Sequence, residues 1–305
     1  MPTSSAEIVV TGANGFVGAR ICEVLAERGA PVRAVVRRAG TAPDLPGVAE
    51  VIADFTDPSV AALLVSGATS VITTVHPMGS DRATQARVGV KGTVDLAWAA
   101  SAAGVERFIH VSTAGVYDRS PGVGDVSESS ALVGDEATDY QVTKRDADRA
   151  LADVAGITRV LLRPPAILGP GETSTWNAVR PVSIRESADN RHAVAHQTFA
   201  WVHVKDLALL AADLATGQIS DVGDPESGPV AGACVALNVA AAGATQRDYY
   251  SAVTGALGVD PVWDDGPAWT GQILADRAHA WGWYPTMRLA DALEELIAGL
   301  SAIIR

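Results

Sequence analysis

From residue 7 to residue 163 short runs of valine and isoleucine alternate with longer alanine-rich stretches, and this rhythm narrows the possible folds more than any other feature. Each apolar run has the length of a strand buried on both faces. Each alanine-rich stretch is long enough to carry the chain back, as a helix, to the same end of a sheet. Strands are expected at EIVVT, PVRAVVR, VAEVIA, SVITTV, RFIHVST and ITRVLLR. Units of this kind in series make an α/β fold, a doubly wound parallel sheet.

Beyond Arg163 the rhythm breaks at RPPAILGPGE, and Thr173 to Thr198 is irregular, mixing Trp, Arg, His and Asn. A sheet domain over residues 1–166 is therefore expected, with a smaller second lobe over residues 167–305. The segment FAWVHVKDLALLAADLA reads as a strand and helix, so residues 199–240 are expected to rejoin the first domain. GQISDVGDPESGPVAG is acidic and turn-rich, a surface loop, and MRLADALEELIAGLSAII has helical periodicity.

The 23 Lys and Arg against 35 Asp and Glu give a net charge of −12, which opposes binding to nucleic acid or to an anionic membrane. An anionic ligand must therefore be caught by a local cluster of cations. Cys22 and Cys234 lie far apart in apolar surroundings, without metal-ligand spacing, and read as two buried free thiols in a reducing cytosol. MPTSSAEIVV has no basic leader region and no apolar run is long enough to span a bilayer, so a cytoplasmic, membrane-free protein is expected.

The first strand runs into TGANGFVGARICEVLAERG, with Gly12, Gly15 and Gly18 at intervals of three and a helix starting inside the loop. Glycines there permit a tight turn and let a diphosphate approach the N–H groups at the helix N-terminus, where the helix dipole favours negative charge. With Asn14, Phe16 and Val17 filling the loop, this is a dinucleotide cradle. The second strand ends in Arg37 and Arg38 where an NAD-specific site would offer an acid to the ribose, so NADP is expected over NAD. Asp54, followed by Phe55, could accept from the adenine amino group or cap the helix starting near Pro58.

In DYQVTKRDADRAL a phenol, Tyr140, and an ammonium, Lys144, stand four apart on one helix face. A free phenol has a pKa of roughly 10 and is a poor acid or base near neutrality, but a nearby cation favours its ionised form. Upstream, RFIHVSTAGVYD puts the hydroxyls of Ser112 and Thr113 at the carboxyl end of the fifth strand, where open α/β sheets bind ligands.

TGxxGxxG at the first turn, VSTAGVYD, YQVTK, LRPPAILGPG, FAWVHVKDLA and WGWYPTMRLADALEEL together resemble the extended short-chain dehydrogenase/reductase family over nearly the whole chain. The resemblance implies that residues 1–166 are a dinucleotide-binding Rossmann domain and residues 167–305 mainly a smaller C-terminal substrate lobe, with a catalytic set in which Thr113 orients a carbonyl, Tyr140 is the general acid/base, and Lys144 binds the nicotinamide ribose and lowers the tyrosine pKa. It also places Phe55 and Pro164 against the cofactor and implies a homodimer. TTVHPMG is closer to the dihydroflavonol-reductase-like carbonyl reductases of that family.

Three departures bear on function. GVKGT puts Gly89 where many relatives carry an asparagine. His76 falls near the expected cofactor, either touching ribose or substrate or incidental. Ala166 and Leu168 replace polar groups found in nucleotide-sugar enzymes, which suits a more apolar ligand. Trp176, Arg180, Arg185, His192, His196 and Trp201 are candidate pocket residues. His192 and His196 lie four apart without a third ligand, so no metal site is expected. His203 and Asp206 read as structural, Asp206 at a helix start. The expected activity is NADPH-dependent reduction of a ketone or aldehyde on a small, rather apolar substrate. The alternatives are a nucleotide-sugar epimerase or dehydratase holding NAD, and a catalytically idle NADP-binding sensor.

Overall fold

A computed structural model describes residues 7–304; residues 1–6, part of the stretch read for a leader, and residue 305 lie outside it. The six anticipated strands form, as β1 (Glu7–Thr11), β2 (Val32–Val36), β3 (Val48–Ile52), β4 (Ala68–Thr73), β5 (Arg107–Val111) and β6 (Thr158–Arg163). A seventh strand, Cys234–Asn238, adds to the edge beyond β6. The order is seventh strand, β6, β5, β4, β1, β2, β3, with every neighbour parallel.

Burial explains the composition of these strands. β5 and β6 are buried at every position, so each face meets a helical layer and alternation of polar with apolar residues is absent. β3, at the opposite edge, is half exposed. One layer joins helix α1 (Phe16–Glu27) to the helix Val204–Ala215, whose Leu207, Ala211 and Leu214 are sealed in the same cluster as Ile21 and Leu25. The other face packs α2 (Pro58–Val65) and the helix Thr93–Ala102 around Leu64, Leu96 and Phe108.

Chain order reverses between β1 and β4, and there the crevice at the carboxyl ends of the strands opens. Beyond β6 the strand Ala166–Leu168 pairs with Trp201–His203, and a separate aromatic core forms around Phe199, Trp201, Tyr249 and Tyr250. His203 accepts from the Lys205 N–H at 3.2 Å to cap the helix Val204–Ala215. Asp206, in that helix's first turn, takes hydrogen bonds from Thr286 Oγ1 at 2.6 Å and the Met287 N–H at 3.1 Å, tying the last helix, Leu289–Ile304, to the sheet domain. Among the described residues no helix is long and apolar enough to cross a membrane. Cys22 is buried as expected, but Cys234 on the edge strand is only partly buried; both are free, and burial pushes both thiols up, to about 12 and about 11.

Candidate active site

A cavity of about 1440 Å³ runs from the glycine loop, past the ends of β4 and β5, to the aromatic core of the lobe. Single-ligand pockets occupy about 300–1,000 Å³, so this volume suits two ligands side by side.

At one end α1 starts at Gly15 with no side-chain cap and no acid in its first turn, so its free N–H groups face the cavity. Gly12 takes φ +71°, and a Cβ there would sit 2.6 Å from Thr74 Oγ1. Asn14, Gly15, Phe16 and Val17 line the cavity with Gly12. Gly18 does not; it packs behind the loop, where a Cβ would fall 2.1 Å from the Gly12 carbonyl oxygen. Its requirement is closeness of helix to loop, not contact with a ligand. An uncapped helix N-terminus and the absence of Cβ atoms at Gly12 and Gly15 fit a dinucleotide diphosphate here.

Arg37, Arg38, Asp54 and Phe55 also line this end. The helix cap is Asp57, whose carboxylate accepts from the Ser59 N–H at 2.9 Å, so the capping alternative for Asp54 is excluded. Asp54 instead accepts from Thr56 N and Oγ1 at 3.0 and 2.7 Å, and with the charges of Arg37 and Arg87 this holds its carboxyl below the usual range.

The centre of the cavity is built by the helix Asp139–Ala152. A capping box starts it: Thr138 Oγ1 accepts from the Gln141 N–H, and Gln141 Oε1 accepts from the Thr138 N–H at 3.2 Å. Gln141 Nε2 then donates to the Gly115 carbonyl at 3.0 Å, joining the helix start to the loop after β5. Tyr140, in the first turn, is thereby set beside Thr113, which lies within hydrogen-bonding reach of the phenol. Thr113 Oγ1 accepts from the Gly115 N–H at 3.0 Å and donates only weakly, at 3.4 Å, to the Pro164 carbonyl. Pro164 itself faces away; Pro165 reaches the cavity in its place.

Lys144, 3% exposed, donates from Nζ to the Val111 carbonyl at 2.7 Å. Burial pushes its ammonium down to about 8 even though Asp148 opposes the shift. Asp148 accepts from Arg163 Nε at 2.9 Å, and Arg163 Nη1 donates to the Tyr117 hydroxyl at 2.8 Å. The Tyr140 phenol is raised, not lowered: desolvation outweighs the hydrogen bond from Thr113, and the Lys144 ammonium is turned toward Val111. This corrects the sign expected from the four-residue spacing.

His76 lines the cavity and has partners of its own. Its Nε2 bonds Gln85 Oε1 at 2.9 Å, and its ring meets Tyr140 edge-on, with centroids 5.0 Å apart. Gln85 Nε2 donates to Ser80 O at 2.7 Å, which turns the amide oxygen toward His76 and assigns the proton to Nε2. Burial and the Lys144 charge push the imidazole down to about 4, so it is neutral. Gly89 lies on a π-helical turn, Ala86–Gly92, and a Cβ there would stand 2.7 Å from His76 Nδ1. The ring occupies the space a side chain at 89 would need. The two departures are one substitution in space.

Of the candidates in the lobe, Trp176 reaches the cavity. Arg180 packs on Trp176 and Tyr250, Arg185 lies outside the lining, His192 pairs with Asp264 at 2.9 Å, His196 lines a separate shallow cleft, and Trp201 is buried with Nε1 on the Ala242 carbonyl. Ala166 is on the wall as anticipated; Leu168 is in the lobe core, and Ile167 faces the cavity instead. Among the described residues no three His, Cys, Asp or Glu are placed to hold a metal ion. Sequence reasoning missed Gln85, Arg119, Asp148 and Trp269. Asp148 alone carried a signal, standing one further turn along the face shared by Tyr140 and Lys144.

Residues 8–220 match the NAD dependent epimerase/dehydratase family. The chain belongs to that family. It is 30% identical over 189 residues to a 3 beta-hydroxysteroid dehydrogenase/Delta 5-->4-isomerase of Mycobacterium tuberculosis, covering 58% of this chain and 51% of that protein. Identity is 32% over 174 residues to a 2-alkyl-3-oxoalkanoate reductase of Stenotrophomonas maltophilia (54% and 52%) and 27% over 226 residues to cinnamoyl-CoA reductase 2 of Arabidopsis thaliana (66% and 67%). The alignment with the first of these spans about half of its length. The Bordetella bronchiseptica enzyme WbmG in complex with NAD shares the fold, with a TM-score of 0.75 at 20% identity over 99% of this chain and 98% of that one. The Thermotoga maritima UDP-glucose 4-epimerase does so with a TM-score of 0.74 at 19% identity over 98% and 100%.

The packing of His76 on Gly89 predicts a coupled pair. Gly89→Ala costs about 1–3 kcal/mol of folding stability by overpacking. His76→Ala combined with Gly89→Ala recovers part of that loss, so the two changes are not additive in a urea-unfolding double-mutant cycle.

Proposed function

We propose that this protein is an NADPH-dependent carbonyl reductase acting on a ketone or aldehyde with a largely apolar body. The observation that carries the reading is the Tyr140 phenol, beside Thr113 and on one helix with Lys144, on the wall of a cavity that continues into aromatic side chains. Reduction consumes a proton at the carbonyl oxygen, and a phenol held in its acid form supplies it.

The free N–H groups at the start of α1 hold the diphosphate, Arg37 and Arg38 the ribose 2′-phosphate, Asp54 the adenine amino group and Lys144 the nicotinamide ribose. When bound, NADPH supplies a hydride to the carbonyl carbon. Tyr140 transfers its phenolic proton to the carbonyl oxygen as that carbon is reduced, giving an alcohol and a phenolate. Thr113, whose own proton is only weakly engaged, turns its hydroxyl to the same oxygen. Lys144 keeps a positive charge beneath the phenol and offsets the developing phenolate. His76 supports the tyrosine ring edge-on. The relatives named as reductases of an oxoalkanoate and of a cinnamoyl thioester support carbonyl chemistry, and Ala166 and Ile167 on the wall support an apolar ligand over a nucleotide sugar. A reducing cytosol suits the two free thiols, and the homodimer implied by the resemblance belongs to the same proposal.

Two outcomes test this. NADPH oxidation, followed at 340 nm against aryl and aliphatic carbonyls, is expected to fall about 10²–10⁴-fold in Tyr140→Phe with the fold intact; conversion of a UDP-hexose without net cofactor use would overturn the reading. Replacing Arg37 and Arg38 by Ser is expected to raise the KM for NADPH roughly ten- to a hundredfold while that for NADH changes little. Equal losses with both cofactors would contradict the assignment to the 2′-phosphate.

A further inference from the structure

The cations lining the cavity divide by position. Arg37, Arg38 and Arg87 belong to the adenosine end, where Arg37 and Arg87 act on Asp54, and Lys144 lies at the catalytic centre. Among the described lining residues one cation remains, Arg119, and it stands at the substrate end. It follows Tyr117 and Asp118 in the loop after β5. Tyr117 is fixed from below, its hydroxyl donating to Asn238 Oδ1 at 2.7 Å. The guanidinium of Arg119 lies over the Trp269 ring, 5.5 Å from its centroid. Trp269 is 4% exposed and immobilised by its Nε1 donating to the Gly124 carbonyl at 2.9 Å.

Among the described residues this arginine has a platform but no counter-ion. Its neighbour Asp118 is committed to its own turn, Oδ1 accepting from Ser120 N at 3.0 Å and from Ser120 Oγ at 2.6 Å. Desolvation lowers the Arg119 guanidinium, and among the described residues no acid offsets it. A partly desolvated guanidinium without an anion is costly, and its fork of donors matches a carboxylate. On the same wall Trp176 and Phe199 meet edge-on at 5.1 Å, beside Ala166 and Ile167. The site thus offers an apolar slot ending in one positive charge. One guanidinium balances a single negative charge, whereas a nucleotide diphosphate calls for more.

We propose that Arg119, seated on Trp269, anchors a carboxylate of the carbonyl substrate, so that the preferred substrates are oxo acids with an alkyl or aryl body. This rests on the reductase reading for its turnover, but the carboxylate site itself is tested by binding.

The experiment compares matched sets, each an oxo acid, its methyl ester and its phosphate-monoester counterpart, in the wild type, Arg119→Gln and Arg119→Lys, with kcat and KM measured at saturating NADPH and low salt. In the wild type the acid is preferred to the ester. Arg119→Gln is expected to lower the acid-to-ester ratio of kcat/KM ten- to a hundredfold, chiefly through the KM of the acid, and Arg119→Lys to restore part of it. Equal use of acid and ester by the wild type, or equal losses for both in Arg119→Gln, would overturn the proposal; a preference for the phosphate would overturn the choice of carboxylate. Calorimetric titration of the same acids and esters into the NADP-saturated protein reads the site without turnover. Acid binding that depends on Arg119 in a protein that reduces nothing would refute the reductase reading and keep the carboxylate site, and equal binding of acid and ester would refute the site alone.

Discussion

The site depends on a single buried charge. Lys144 carries its ammonium into the sheet domain, where one carbonyl, Val111 O, and the field of Asp148 are what hold it. A buried ammonium is tolerated when such partners are fixed in place. Asp148 is fixed by Arg163 at the end of β6, Arg163 by the Tyr117 hydroxyl in the loop after β5, and Tyr117 by Asn238 at the end of the seventh strand. The three strand ends that shape the catalytic centre are therefore bound together by the same chain of contacts that keeps Lys144 charged. Thr113 and Arg119 sit on the loop this chain holds.

Tyr140 shows why spacing alone misjudges a site. The interval to Lys144 says correctly that phenol and ammonium share a helix face, but the direction of the pKa shift depends on depth, and desolvation wins. Depth keeps the phenol in its acid form and also makes it a weaker acid, so a proton leaves it only where the phenolate that forms is offset by a charge. His76 and Gly89 teach a similar lesson. They are separate oddities along the chain and a single packing unit in space, because the loop after β4 folds back on the π-helical turn.

Much of the fold was legible. Periodicity located six strands, because buried parallel strands are continuous apolar runs, and the glycine loop announced its own geometry. The seventh strand, CVALN, was hidden behind a long acidic loop within a segment expected only to return to the sheet. The pocket walls were largely illegible. Trp176 reaches the cavity while Trp201, equally aromatic, is spent on the lobe core, and Ala166 and Ile167 line the cavity while Leu168, next along the same short strand, is sealed in the lobe core. Trp269 and Arg119 meet across about half the chain, and no local pattern predicts such a contact.

The most direct test of this account is the pH dependence of kcat/KM for carbonyl reduction by NADPH. If the Lys144 charge offsets the phenolate that forms as Tyr140 gives up its proton, the rate is level near neutrality and falls by about tenfold per pH unit above about pH 8, where the ammonium loses its proton. A rate that stays level to pH 10 in a folded protein would contradict it, because the reaction would then proceed without the charge around which the site is built.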